Sequence, residues 1–234
     1  MPRASSFRLF LPSNKYTKFA DKSYSWKFLE KPTITRNLKS IINGNIHTLD
    51  AGCGTGRSIR VLLELGANPI KTIGTDISPH MLKIARKSFP EVKFVKGNLP
   101  DLKLNKNSLE LVSSNMAFHY LNLSDFKTTV EHIHTWLLKG GYLFYIVVHP
   151  LRFIHNHSQY FSDKSKVEKT PWGTEIKYYP KRISDYVNTT LDSGFDVIKV
   201  EEPIPVGGVA KKDIAQYKKY LSNPTRLAIL AVKK

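Results

Sequence analysis

Three glycines stand within a short stretch of the chain, LDAGCGTGRS at residues 49–58, directly after an apolar run. They are Gly52, Gly54 and Gly56. Glycine loses more conformational freedom on ordering than any other residue, so such a cluster indicates a sharp turn or a close approach of the backbone to a ligand. Asp76 follows Gly56 by 20 positions, at the end of the next apolar run. A carboxylate at that spacing can accept hydrogen bonds from both ribose hydroxyls. The pattern predicts a nucleotide or nucleoside site.

The spacing of the glycines indicates which kind of nucleotide is bound. Dinucleotide-binding folds carry G-x-G-x-x-G, and their pyrophosphate sits on the N-terminus of the following helix. This loop reads G-x-G-x-G, and Arg57 occupies the position of the third glycine. A cofactor with a ribose but no pyrophosphate fits better, and S-adenosylmethionine is such a cofactor.

Strand and helix patterns alternate around these residues, which is typical of a parallel sheet with helices on both faces. The clearest helix start is Ser78 followed by Pro79, a capping residue and a proline at the first helical position. We predict α/β architecture, with a doubly wound, mostly parallel seven-stranded sheet. Strands are expected at residues 45–52, 71–77, 92–98, 108–116, 141–148, 195–205 and 226–234, and helices at residues 56–66, 78–89, 123–141, 183–195 and 212–224.

Two segments depart from this alternation. Residues 1–44 are predicted to form an N-terminal helical arm, and residues 45–234 a single domain. Within that domain, residues 149–182 have little periodicity and many aromatic and polar side chains. Such a composition is poor for a core and suits a segment that faces a substrate. We expect residues 149–182 to form a small inserted cap.

Four motifs in register carry a resemblance to a known family. They are LDAGCGTG (49–56), GTDISPHMLKIA (74–85), FVKGNLPDLKLNKNSLELVSSNMAFHYL (94–121) and LLKGGYLFYIV (137–147). Over about residues 45–148 the chain resembles the class I S-adenosylmethionine-dependent methyltransferases, and among them those similar to methyltransferase type 11. The resemblance implies a Rossmann-like methyltransferase fold, S-adenosylmethionine as cofactor and a methyl-transfer reaction.

The resemblance also implies roles for the glycine loop and the second strand. The backbone at Gly52 and Gly54 would pass close to the methionine part of the cofactor, where a Cβ would intrude, and Gly56 completes this loop. Asp50 would orient the cofactor's ammonium group, directly or through water. Asp76 would accept the ribose hydroxyls.

Further cofactor contacts follow from the same resemblance. Ile77 would cover one face of the adenine, and Asn98 and Leu99 stand where the family recognises the adenine edge. Asn98 departs from the commoner aspartate, so it keeps an acceptor atom and loses a charge. Asn115 and Met116 would flank the methionine part and the transferred methyl group.

Aromatic residues of the arm and the cap are candidates for the acceptor site. Residues 16–34, YTKFADKSYSWKFLEKPTI, resemble the lid helix of small-molecule methyltransferases, and fit equally well an amphipathic arm packed on the core. We predict an acceptor pocket covered by both segments and formed by Tyr16, Tyr24, Tyr178 and Tyr179.

Three residues could serve as a general base. Displacement at a sulfonium depends mainly on the alignment of the nucleophile, and a base is needed only if the acceptor arrives protonated. The candidates are His119, Tyr120 and His149, although capping a strand is the more common role for any single one of these histidines. VVHP at 147–150 resembles a methyltransferase subgroup with His-Pro after the fifth strand, whose second histidine is missing from YPKR at 179–182.

Composition restricts the partners. The formal net charge is +17, but the 27 lysines and nine arginines are scattered, without a basic block or an arginine-rich tail. Nucleic-acid recognition favours arginine, so RNA is the second partner class and a small molecule the first. No apolar run is long enough for a membrane span, and the lone Cys53 fits a cytoplasmic, reducing compartment. His132 with His134 and His155 with His157 do not form a metal-ligand set, so no metal is expected.

The leading hypothesis is therefore a methyltransferase that acts on a small molecule. The alternative is a tRNA or rRNA methyltransferase, although SNMAFHY (114–120) departs from the Asn/Asp-Pro-Pro-Tyr type of motif. A non-enzymatic binder is disfavoured by the intact glycine loop and Asp76, and an oxidoreductase by the missing third glycine. The acceptor, its reacting atom and the oligomeric state do not follow from the sequence.

Overall fold

A seven-stranded sheet forms the centre of the protein. The structure is a computed structural model that describes residues 20, 22–154, 159–162, 164–169, 175–207 and 212–234 of the chain. The strand order is β3-β2-β1-β4-β5-β9-β8, in which β9 runs antiparallel to both β5 and β8 and the other pairs are parallel. The predicted mostly parallel seven-stranded α/β fold is confirmed. Its strands are β1 (Thr48–Ala51), β2 (Thr72–Asp76), β3 (Lys93–Lys96), β4 (Leu109–Asn115), β5 (Leu137–Val148), β8 (Phe195–Glu201) and β9 (Arg226–Lys233).

Helices cover both faces of this sheet. One face packs against α4 (Leu123–Trp136) and α5 (Ile183–Asp192) through large buried rings such as Phe126, Tyr145 and Tyr186. The other packs against α1 and α2 through Leu38, Leu62 and other aliphatic side chains. The helices are α1 (Lys31–Leu38), α2 (Arg57–Glu64), α3 (Pro79–Ser88), α4 (Leu123–Trp136), α5 (Ile183–Asp192) and α6 (Ile214–Ser222).

Capping side chains start two of the helices, as the sequence predicted at Ser78. Ser78 Oγ accepts a hydrogen bond from Met81 N at 3.3 Å, and Pro79 occupies the first helical position. Asn122 caps α4 in the same way, by accepting from Asp125 N at 2.8 Å. Such caps satisfy backbone donors that have no partner within the helix. They fix the directions in which the loops leave β2 and β4, and these loops border the site described below.

The predicted end of the helix at residues 123–141 is wrong. The helix ends at Trp136, and β5 begins at Leu137. Leu137 is extended and fully buried, and it pairs with Leu109 of β4. Gly140, with φ +77°, lies inside the strand, next to an irregularity in the β4–β5 pairing. The two glycines therefore shape a strand and do not stop a helix.

The segment predicted as a cap contains a hairpin. Its strands are β6 (Lys166–Lys169) and β7 (Glu175–Tyr178), which pair antiparallel. Ile176 and Tyr178 of β7 pack on Val148 at the end of β5, with Met116 and Tyr120 beside them. The hairpin therefore lies over the carboxyl ends of β4 and β5.

The described part of the N-terminal segment is helical and packs on the domain. A π-helical stretch, Trp26–Glu30, leads directly into α1. Arg36 and Asn37 of α1 both donate hydrogen bonds to the Glu201 carboxylate at the end of β8. Arg57 Nη1 donates to Ala20 O at 2.7 Å, which connects this segment to the start of α2. The amino-terminal part that includes Tyr16 lies outside the described residues.

Candidate active site

A cavity of about 550 Å³ opens at the carboxyl ends of the parallel strands. Its wall is formed by the loops after β1, β2, β3 and β4, by the arm, by the hairpin and by α6. The strand order changes direction between β1 and β4, and open α/β sheets bind ligands in the crevice at that point. Residues that are far apart along the chain thus meet around one space.

The first two glycines of the loop form part of this wall. A Cβ added to Gly52, whose φ is +77°, would lie 2.4 Å from Ala117 Cβ in the loop after β4. Gly54 has φ +55°, and an added Cβ would meet no atom of the described residues within 4 Å. Gly52 thus allows two loops to approach each other, while Gly54 presents bare backbone to open space.

Gly56 has a different role. It is a glycine because its φ is +90° and because an added Cβ would lie 2.6 Å from the Phe89 ring. It does not belong to the residues that line the cavity. The structure therefore places this sequence-predicted cofactor residue behind the loop, where it shapes the turn into α2.

Asp76 is held at the end of β2 by backbone donors. Its Oδ2 accepts from Gly54 N at 2.9 Å, and its Oδ1 accepts from Ser78 N at 2.8 Å. Burial raises the pKa of this carboxyl, and the backbone donors oppose that effect. Each carboxylate oxygen keeps a lone pair for a further donor. Asp76 and the adjacent Ile77 both line the cavity, as a ribose and adenine site requires.

Asn98 and Leu99 lie on the same wall, after β3. The Asn98 Nδ2 group donates to Asp101 Oδ2 at 2.7 Å. The Asn98 carbonyl oxygen is therefore the acceptor that this side chain can offer to an adenine edge. Asn98 carries no charge itself, but the Asp101 carboxylate that accepts its hydrogen bond is negatively charged.

Asp50 lies beneath the wall and not in it. The side chain is fully buried in β1, and Ser113 Oγ donates to its Oδ1 at 3.4 Å. Its Oδ2 has no hydrogen-bond partner among the residues that the structure describes. Burial raises the pKa of Asp50 to about 7. The cavity wall therefore separates Asp50 from a direct contact with a ligand.

The loop after β4 combines strain with an unsatisfied polar atom. Met116 adopts φ +60°, which is uncommon for a residue other than glycine, and its N donates to Ile146 O at 2.8 Å. Asn115 Oδ1 is buried without a partner in the described part of the chain. Both residues line the cavity. Strained backbone of this kind concentrates at functional sites.

Three rings cluster at the hairpin end of the cavity. The His119 ring lies 4.1 Å from the Tyr120 ring and 5.5 Å from the Tyr178 ring, measured between centroids. All three side chains line the cavity. His119 is 1% exposed, and neither ring nitrogen has a hydrogen-bond partner within the described ranges. Burial lowers the pKa of His119 well below its usual value, and the neighbouring cations lower it further.

Two other predicted acceptor-site residues do not line the cavity. His149 is fully buried; its Nε2 bonds Glu202 Oε1 at 2.7 Å, and its Nδ1 accepts from Leu151 N at 3.2 Å. Both ring nitrogens are thus used in holding the turn after β5. Tyr179 donates its backbone N–H to His119 O at 3.1 Å, so it positions the His119 loop from behind.

The arm contributes residues to the cavity wall, but Tyr24, which was predicted to form the acceptor pocket, is not one of them. Tyr24 stacks on Tyr220 of α6, with ring centroids 5.2 Å apart, and it is Tyr220 that lines the cavity. Tyr16 lies outside the described residues. The arm residues in the wall are Ala20, Ser23, Ser25 and Glu30.

The sequence did not predict a buried ion pair that lies in the cavity wall. Arg226 Nε and Nη2 donate to Glu30 Oε1 at 2.9 and 2.7 Å, and Asn115 Nδ2 approaches Glu30 Oε2 at 3.4 Å. Arg57 stands nearby, with its guanidinium 4.7 Å from the centroid of the Trp26 ring. No local pattern links Glu30 to a residue 196 positions away.

The fold and this site define a class. A sheet with this order, a glycine loop after β1 and a carboxylate after β2 around one cavity constitute the Rossmann-like S-adenosylmethionine-dependent methyltransferase fold. Among the described residues, no three His, Cys, Asp or Glu side chains could hold a metal ion together. None of the helices in the described ranges is long and apolar enough to cross a membrane.

Comparison with known proteins agrees with this class. Residues 48–141 match the family model described as a methyltransferase domain. The chain is 26% identical over 202 residues to an uncharacterised protein of Haemophilus influenzae, covering 76% of this chain and 77% of that protein. It is 28% identical over 180 residues to the demethylmenaquinone methyltransferase of Oceanobacillus iheyensis, covering 69% and 74%.

Among solved structures, a putative S-adenosylmethionine-dependent methyltransferase from Listeria monocytogenes has the same fold. The TM-score is 0.73 at 22% identity, and the match covers 88% of this chain and 99% of that one. The chain is a class I S-adenosylmethionine-dependent methyltransferase. The predicted family, enzyme class and cofactor are thereby confirmed.

Proposed function

We propose that this methyltransferase acts on a small planar molecule that enters the hairpin end of the cavity. The observation that carries the proposal is one continuous cavity of about 550 Å³ with a nucleoside-type wall at one end and three aromatic rings at the other. Pockets of this size accommodate small molecules. The cap and the arm both contribute to its wall, in keeping with the proposed division into an arm (1–44) and a domain with an inserted cap (149–182).

The residues present fit the cofactor. S-adenosylmethionine, when bound, supplies a methyl group attached to a positively charged sulfur. Asp76 would accept the ribose hydroxyls, Ile77 would cover the adenine, and Asn98 with Leu99 would border the adenine edge. The bare backbone of Gly54 leaves room for the chain of the ligand, and the unpaired Asn115 Oδ1 offers an acceptor to its ammonium group. Met116 would flank the transferred methyl group.

A quinol-like aromatic molecule is the acceptor class that we favour. The relative from Oceanobacillus iheyensis is a demethylmenaquinone methyltransferase, and its match extends over 69% of this chain. In this protein, Tyr120 and Tyr178 stand at the acceptor end, with ring centroids 5.4 Å apart and an interplanar angle of 26°. Nearly parallel rings provide a flat wall for another planar group.

The lone buried Cys53 agrees with a cytoplasmic location.

Methylation of tRNA or rRNA is the second candidate, and the net charge of +17 is the observation that favours it. A screen of labelled methyl transfer separates the two. Methyl-labelled S-adenosylmethionine is incubated with the protein and with separate metabolite, RNA and protein fractions of a cell extract. We expect label in the metabolite fraction. Label confined to RNA would contradict the proposal and select the second candidate.

A further inference from the structure

His119 is the buried polar side chain whose surroundings the fold does not explain. It lies in the cavity wall, is 1% exposed, and has two ring nitrogens without a partner in the described part of the chain. Buried polar groups in natural proteins nearly always have a hydrogen-bond partner, because an unpaired one loses its interaction with water. Because His119 lines the cavity, a group that enters the cavity can supply this partner.

The walls around His119 select the shape of that group. The His119 and Tyr178 rings are 5.5 Å apart at an interplanar angle of 23°, and Tyr120 and Tyr178 are nearly parallel as well. Tyr178 comes from the hairpin, whereas His119 and Tyr120 come from the turn after β4. A flat ring or a conjugated enol fits such walls better than a branched aliphatic group does.

A buried lysine adds positive charge behind the ring. Lys181 is 4% exposed, and its Nζ donates to Leu121 O at 2.6 Å and to Tyr179 O at 2.9 Å. Both acceptors are neutral carbonyl groups, and the Asp185 carboxylate acts on it only at longer range. The lysine ammonium thus has no carboxylate bonded to it among the described residues.

The remaining charges near His119 nearly cancel. Arg226 is paired with Glu30 at 2.7 Å, and Arg152 is paired with Glu168 at 3.2 Å. Below about pH 7, where it holds its proton, Lys181 therefore leaves the His119 end of the cavity with an excess of positive charge. That excess disfavours a protonated amine in the cavity and favours an anion, because charges interact more strongly in a partly buried site than in bulk water.

We infer that the His119 end of the cavity binds the methyl acceptor as an oxyanion on a planar ring or enol, with the neutral imidazole donating a hydrogen bond to the oxygen. The inference rests on the proposed function and names its substrate class. On binding, the acceptor's O–H bond breaks, its proton passes to bulk water, and the electron pair stays on the oxygen. Lys181 supplies the positive charge that stabilises this anion.

The experiment uses 4-nitrophenol, whose anion absorbs visible light and whose neutral form does not. The full-length protein is saturated with S-adenosylhomocysteine, so that no methyl transfer occurs. The pH is held one unit below the pKa of the free probe, where about a tenth of it is ionised. We expect more than half of the bound probe to be ionised, compared with about a tenth of the free probe.

Two variants test the role of the imidazole. His119→Phe keeps a ring and removes the donor, so the bound probe should return towards the ionised fraction of the free probe. His47→Phe, at a half-exposed position before β1, is the matched control and should behave like the unchanged protein. Calorimetry with S-adenosylhomocysteine on each variant verifies that the cofactor site is folded.

The outcomes separate two failures. If the unchanged protein does not bind S-adenosylhomocysteine, the proposed function fails. If it binds S-adenosylhomocysteine but takes up 4-nitrophenol in the neutral form, or does not bind it at millimolar concentration, the oxyanion inference is overturned. The inference is also overturned if His119→Phe ionises the probe as fully as His47→Phe does.

Discussion

At the scale of single residues, the two ends of the cavity hold their polar groups in opposite ways. Asp76 is fixed by the N–H groups of Gly54 and Ser78, so its carboxylate is oriented before a ligand arrives. His119 is fixed by packing alone, and its ring nitrogens have no partner in the described residues. Under the proposed assignments, the first arrangement favours cofactor binding through preorganisation, and the second leaves the imidazole available for a hydrogen bond to the acceptor.

The role of Asp76 can be tested by binding. Asp76→Ala should weaken the binding of both S-adenosylmethionine and S-adenosylhomocysteine by about 1.5–3 kcal/mol, because charge-assisted hydrogen bonds to the ribose are lost. Isothermal calorimetry measures this change directly. Asp196→Ala, at an exposed position where the carboxylate pairs with Lys234, should leave both affinities unchanged. Equal affinities in the two variants would contradict the ribose assignment.

A second prediction at this scale concerns Lys181 and the pH dependence of the free energy of unfolding. Burial lowers the pKa of Lys181 to about 7 in the folded protein, from an ordinary value of 10.5. Between about pH 7 and pH 10 the unfolded chain therefore holds a proton that the folded protein releases. The free energy of unfolding should rise with pH over this window, and Lys181→Met should lack that rise.

Urea unfolding at pH 7, 8 and 9 measures the pH dependence. Lys103→Met, an exposed lysine on the loop before β4, is the control and should keep the slope of the unchanged protein. If Lys181→Met and Lys103→Met give parallel slopes, Lys181 is charged in the folded state throughout this range.

At the scale of elements, the sequence predicted what depends on neighbours along the chain. Ser78 and Pro79 start α3 as expected, because a cap acts within one helical turn. The end of α4 was mispredicted, because Gly140 and Gly141 resemble a helix stop while tertiary pairing with β4 makes residues 137–140 part of a strand. Local propensity was overruled by burial of Leu137 in the sheet.

In the candidate site, too, the residues set by local sequence were predicted and those set by tertiary packing were not. Asp76, Ile77, Asn98 and Leu99, which were predicted to contact the cofactor, line the cavity because each lies at or just after the end of a strand whose position the pattern fixes. Asp50 and His149 were expected in the site and lie buried behind it, because their distance from the cavity depends on how the loops fold back. The contribution of α6 could not be predicted, because it depends on how that helix packs against the arm.

The contact between the arm and β9 gives an element-scale prediction. Glu30 and Arg226 are both nearly inaccessible, at 3% and 9% side-chain exposure, whereas Lys31 and Glu64 form an exposed pair of the same 2.7 Å length. Glu30→Gln leaves the Arg226 guanidinium buried without a charged partner, and should lower the free energy of unfolding by about 3–5 kcal/mol. Glu64→Gln should cost about 1 kcal/mol or less.

Urea unfolding of the two variants under identical conditions makes the comparison. If Glu30→Gln costs no more than Glu64→Gln, the arm is not held to β9 by this ion pair. The affinity for S-adenosylhomocysteine, measured in parallel, shows whether release of the arm also weakens the cofactor site.

At the scale of the whole molecule, charge and cavity are arranged differently. The excess of 36 basic over 19 acidic residues is spread along the chain, whereas the polar groups of the site converge on one edge of the sheet. A diffuse positive surface attracts polyanions without selecting among them. The cavity, in contrast, offers a defined shape and a few fixed hydrogen-bonding groups. The two features therefore predict two kinds of binding with different responses to salt.

RNA binding is expected to follow the diffuse charge. We predict association with RNA at low salt, without sequence preference, that is largely lost at physiological ionic strength. The logarithm of the association constant should fall by about 0.7–0.9 for each phosphate neutralised, per tenfold increase in salt. The lysines are scattered, only nine arginines are present, and the sequence contains no stacking motif for unpaired bases. Filter binding across a salt series measures this slope, and mapping of labelled methyl groups on the same RNA tests for a modified position. Sub-micromolar binding to one RNA that resists salt, with methylation at a single site, would instead make RNA the acceptor.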